Sequence, residues 1–87
     1  MYKILKYPLS ITDEQKLALP EGAKILSVLN QRETLVIYAL SDSEAIPLKP
    51  RFISIRGTGA ECNASLGQFI GSVAFANGSL VWHVFIA

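Results

Sequence analysis

The sequence predicts an all-β fold, a small antiparallel β-sandwich or a partly open barrel of about six or seven strands with at most one short helical turn. Three observations carry that prediction. Short apolar runs rich in β-branched and aromatic side chains alternate with turn residues. Several runs are apolar on both sides, which a one-sided sheet would leave wet. Asn77-Gly78 lies between two apolar runs, a strong short-range hairpin signal.

The elements follow in order. The first run is Tyr2 to Leu9, which contains Pro8. Thr12-Asp13-Glu14-Gln15 has the spacing of a capping box, so a single helical turn is expected there, stopped by Pro20. It competes with a strand over Gln15 to Leu19, where Leu17 and Leu19 alternate with Lys16 and Ala18. Pro20-Glu21-Gly22 turns the chain, because Pro fixes φ and Gly supplies a positive φ. Ala23 to Leu29 is the third run, Asn30 to Glu33 a turn, and Thr34 to Leu40 the fourth run. In that run Val36, Tyr38 and Leu40 face one way and Leu35, Ile37 and Ala39 the other. A polar, Pro-bearing loop is expected from Ser41 to Pro50 and a fifth strand from Arg51 to Arg56. Gly57 to Gly67 reads as irregular, and the last runs are Gln68 to Ala76 and Leu80 to Ala87. Short links imply a mostly antiparallel meander. The apolar last run needs either a partner chain or a central place in the sheet.

One domain over residues 1–87 is the ceiling for this length. Hydrophobic residues make up 51% of the chain and charged residues 17%, against about 25% charged in an ordinary domain. A short chain has a large surface for its volume, so this shortage of charge favours a homo-oligomer or a partner protein. A net charge of +1 lacks the footprint of a nucleic-acid binder. Cys62 stands alone, so no intramolecular disulfide forms and nothing indicates an oxidising compartment. No signal-peptide core follows Met1, and the longest apolar stretch, Leu80 to Ala87, is far short of the about 20 residues of a membrane helix. A soluble cytoplasmic protein is the expectation, with no membrane partner.

Little in the chain points to catalysis. Cys62 and His83 are the sole thiol and imidazole, but a histidine alternating with large apolar residues reads as a packed or edge residue rather than a base. The same two residues with scattered carboxylates do not match a zinc site. No enzyme, metal or cofactor is therefore expected. Arg56-Gly57-Thr58-Gly59 is the most suggestive string: glycines let backbone amides converge beside a guanidinium, a device for binding anions. Lys49 and Arg51 would extend it into a basic patch, and Trp82 would stack on a bound base. No Gly-Lys-Ser/Thr follows, and a bend at a strand end explains the same glycines. The aromatic residues have aliphatic neighbours, which favours core packing over base stacking.

Tyr7-Pro8-Leu9-Ser10-Ile11-Thr12-Asp13-Glu14-Gln15, Leu19 to Val28, Ile55 to Gly59, Phe69 to Val73 and Leu80 to Phe85 together resemble a family of short uncharacterised phage and prophage proteins. The resemblance implies a mobile-element origin and a β-rich domain, and it carries no catalytic residues. The expected function is a non-catalytic accessory protein that binds a host protein or defence component, as a homo-oligomer. Two alternatives stay open. One is a binder of a small anionic metabolite or nucleotide through Arg56, Gly57, Thr58, Gly59, Lys49, Arg51 and Trp82. The other is a virion or assembly component.

Overall fold

A computed structural model describes residues 1–42, 44, 48–63 and 65–87. Seven strands follow in order: β1 (Tyr2–Leu9), β2 (Glu14–Pro20), β3 (Lys24–Gln31), β4 (Thr34–Asp42), β5 (Leu48–Gly57), β6 (Gln68–Phe75) and β7 (Leu80–Ile86). They form two separate antiparallel sheets, one ordered β1-β4-β3 and the other β2-β5-β7-β6. The architecture is thus a sandwich, not a closed barrel.

The apolar runs became strands because each has a face to bury. Leu9, Leu35 and Ile37 from the three-stranded sheet meet Leu19, Ile53, Ile55, Val73, Phe75, Val84 and Ile86 from the four-stranded sheet in one core. Ile37, Ile53 and Val84 are fully buried. Each such side chain contributes roughly 1.5–3 kcal/mol relative to leaving it in water. The two-sided runs take the central positions. β4 lies between β1 and β3, and β7 lies between β5 and β6. Central placement, rather than pairing with another chain, accommodates the apolar last run.

Three expectations need correction. The strands do not run as a meander: only β3–β4 and β6–β7 are hairpins, while β1 pairs with β4, β2 with β5 and β5 with β7. The Pro20–Gly22 turn, closed by Ala23 N–H donating to Pro20 O at 3.0 Å, carries the chain from one sheet to the other instead of making a hairpin. No helical turn forms at Thr12–Gln15. Gln15 Nε2 donates to Ser10 O at 2.6 Å, and Thr12 Oγ1 donates to the Glu14 carbonyl at 3.1 Å. The side chains that would cap a helix thereby hold an extended crossing into β2. The last hairpin turns instead through Ala76–Gly78, a left-handed tight turn with positive φ at all three residues, closed by Ser79 N–H donating to Ala76 O at 3.1 Å. The third correction concerns the loop placed at Ser41 to Pro50. Ser41 and Asp42 belong to β4, and Leu48 to Pro50 belong to β5. Ser43, Ala45, Ile46 and Pro47 of that loop, and Ala64 of the irregular segment, lie outside the described residues.

The sheets are seamed along β3 and β6. Asn30 Nδ2 donates to the Ala74 carbonyl at 3.1 Å, and Ala76 N–H donates to Glu33 Oε2 at 3.4 Å. Further back, Val28 lies so close to Gly71 that an added Cβ there would stand 2.5 Å from Val28 Cγ1. Both strands bulge just before this contact, at Leu26 and at Ile70. At the chain start, the Met1 ammonium pairs with Asp42 at 3.0 Å and Glu44 at 3.3 Å. The Glu44 backbone N–H, then the Met1 ammonium, hold the Asp42 carboxyl below its ordinary range.

Candidate functional site

Period two decides which side chains share a face. On β5, Ile53 and Ile55 point into the core, so Pro50, Phe52, Ser54 and Arg56 point outward. The register places Lys16 beside Phe52 and Glu14 beside Ser54 on β2. It places Phe85 beside Ser54 and His83 beside Arg56 on β7. On β6, Phe69 pairs with Phe85 and Ser72 with His83. Among the described residues, no helix or strand covers this outer face of the four-stranded sheet.

The face has an aromatic end and a polar end. At the aromatic end the Phe69 and Phe85 rings lie 5.4 Å apart, tilted by 60°. Lys16 Nζ stands 5.9 Å from the centre of the Phe52 ring, within cation–π reach. Phe52 is 49% exposed and Phe69 54%, large values for phenylalanine on a sheet. At the polar end, Arg56 Nη1 donates to the Asp13 carbonyl at 2.6 Å and to the Ile55 carbonyl at 3.1 Å. Its Nη2 lies 3.7 Å from Glu14 Oε1. His83 is held from both sides, its Nδ1 2.7 Å from Ser72 Oγ and its Nε2 2.9 Å from Thr58 Oγ1. A neutral imidazole has one donor and one acceptor nitrogen, and a hydroxyl serves either, so both tautomers are satisfied.

These contacts limit the chemistry. Ser72 and His83 have the outline of a nucleophile and its base, but Thr58, not a carboxylate, holds the second ring nitrogen. Among the described residues, no carboxylate meets the ring in the orienting place that the acyl-transfer template gives it. Cys62 is exposed, and its thiol donates to the Ala60 carbonyl at 3.6 Å rather than pairing with His83. Among the described residues, no cluster of three metal-ligating side chains occurs. No helix among them is long and apolar enough to cross a membrane.

The residues singled out from the sequence divide between two faces. Arg56 and Thr58 reach the polar end of the outer face. Lys49 and Arg51 take the opposite, inward-facing parity of β5. Trp82 also turns inward, packs against the core and covers Gly57, where an added Cβ would stand 3.3 Å from Trp82 Cζ3. The glycines form a turn: Ala60 N–H donates to the Gly57 carbonyl at 3.1 Å, and Gly59 has φ of 89°. The structure thus brings Arg56 and Thr58 beside His83 but separates them from Lys49, Arg51 and Trp82. The sequence reading missed Phe52, Phe69, Phe85, Ser72 and His83 as one surface. The available signal was the Asn77-Gly78 hairpin, since counting back from its turn sets Ser72 opposite His83.

No curated protein and no solved structure matches this chain. A family model does, over residues 1–87. The chain belongs to a family defined as a domain of unknown function, DUF7352.

Proposed function

We propose that this is a non-catalytic recognition module that binds protein through the outer face of its four-stranded sheet and self-associates there. The observation that carries this reading is the group of three phenylalanines, Phe52, Phe69 and Phe85, on a face without a covering element among the described residues. Aromatic residues are enriched at protein interfaces, where they bury large area at low entropic cost. Two of the three lie on the central strands β5 and β7. The exposed Tyr2 and Ile4 of the other sheet instead lie on its edge strand β1.

A second copy of this chain is the favoured first occupant. Arg56 and Glu14 pair with one another, so apposed copies would not meet with strong like charge. The molecule measures 39 × 29 × 16 Å, so a broad side offers far more contact than an edge or an end. The edges are poor alternatives. β1 carries Lys3, Lys6 and Pro8, β2 carries Lys16 and Pro20, and β3 and β6 bulge. Lysine, proline and bulges all oppose strand addition. The resemblance to short phage and prophage proteins extends the reading to an accessory protein whose oligomer engages a host protein or defence component.

Sedimentation velocity tests the assembly. The wild-type chain should sediment as a dimer or larger. Phe69→Glu should sediment as a monomer with unchanged circular dichroism. A wild-type monomer at millimolar concentration, or an oligomer unaffected by both Phe69→Glu and Phe52→Glu, would overturn the proposal.

A further inference from the structure

A second site lies at the open end of the β3–β6 seam and reaches the outer face only at Phe69. Beyond the Val28–Gly71 contact the two edge strands border a cavity of about 440 Å³. Lys24, Ile25, Arg51, Gln68, Phe69 and Ile86 are among its lining residues. The volume falls within the roughly 300–1,000 Å³ of small-molecule sites. Both bulges, at Leu26 and Ile70, border this same cavity. Bulges bend strands and re-aim side chains, and they gather beside functional sites.

The charge in the cavity is one-sided. Lys24 and Arg51 line it and no Asp or Glu does. Among the described residues, neither cation forms an ion pair. Arg51 is nonetheless oriented, because its Nε donates to the backbone oxygen of Ala87 at 3.1 Å. That oxygen also accepts from Phe52 N–H at 3.1 Å, which ties it to the β5–β7 ladder. Anchoring Nε leaves the two terminal nitrogens of the guanidinium as a fork for an anion. Ile25 and Ile86, on the core side of their strands, supply the apolar part of the lining.

We propose that this cavity binds a small organic anion, a carboxylate or phosphate monoester with an aromatic or aliphatic body. Arg51 and Lys24 hold the anionic group, Gln68 supplies a further hydrogen bond, and the body lies against the apolar part of the lining. This differs from an anion site at Arg56 to Gly59. There the Arg56 guanidinium already serves the Asp13 and Ile55 carbonyls and Glu14.

Amide-resolved NMR titration tests the proposal with four probes: phenyl phosphate, phenylacetate, inorganic phosphate and neutral benzyl alcohol. Phenyl phosphate, phenylacetate or both should saturate, with shifts concentrated at residues 24–26 and 68–70. The preferred organic anion reports which head group the site takes. Benzyl alcohol and inorganic phosphate should each bind at least about tenfold more weakly, since each lacks one half of the recognition. Arg51→Gln and the exposed-site variant Lys24→Glu should each weaken the preferred probe by about tenfold, a loss of one charge-assisted contact. Four results would overturn the proposal: no saturable binding of either organic anion, equal binding of benzyl alcohol, shifts mapping elsewhere, or unchanged affinity in both variants.

Discussion

Gly71 shows how a single missing side chain sets the distance between two sheets. Its neighbour Val28 occupies the space that a Cβ would need, 2.5 Å from Cγ1, so β3 and β6 come together only because residue 71 has no side chain. Gly71→Ala should therefore destabilise the fold by about 1–3 kcal/mol through overpacking. Val28→Ala removes the obstructing methyl groups, so Gly71→Ala should cost less in that background. Urea denaturation of the four proteins in the double-mutant cycle measures the coupling, and strict additivity would refute the steric account. The glycine's role was not legible in the sequence, where Gly71 sits in an unremarkable apolar run. A close approach between strands distant in sequence leaves no local mark. The division of the basic residues was legible: Lys49 and Arg51 share odd parity with Gly57, while Arg56 does not.

Strands were easier to read than their pairings. β1 and the starts of β4, β6 and β7 coincide with the apolar runs, because a pleated strand with one or two buried faces writes its period into local composition. The partner of β1 is β4 and that of β2 is β5, and such distant pairings depend on the whole core rather than on any neighbouring residue. The polar end of the outer face follows from the β2–β5 pairing. Arg56 and the Ile55 N–H, which donates at 3.0 Å, both use the Asp13 carbonyl just before β2 begins. Arg56→Ala should loosen the entry to β2 without unfolding the sandwich. Hydrogen exchange at the Ile55 amide should quicken, while that at Ile37 and Val84 in the core should not. Equal acceleration everywhere would mean that Arg56 supports the whole fold rather than this crossing.

At the scale of the molecule, most pairings join strands far apart in the chain. Folding must close long loops before β1 finds β4 or β2 finds β5. Refolding should accordingly take milliseconds to seconds, as in other β-sandwiches, rather than microseconds. The single tryptophan, Trp82, packs over Gly57 and so reports the union of β5 and β7 by its fluorescence. Stopped-flow dilution from urea measures the rate, and a microsecond phase of full amplitude would contradict the non-local topology.

The exchange of β2 has a further consequence. Strands β1, β3 and β4 build the smaller sheet from the first half of the chain, yet β2, threaded between them in sequence, joins β5 of the second half. Severed between β4 and β5, the first piece would hold a ribbon with no sheet of its own, and the second a sheet lacking its border. Neither piece could shield its own interior, so the halves are clasped like interlaced fingers and should regain structure only when mixed.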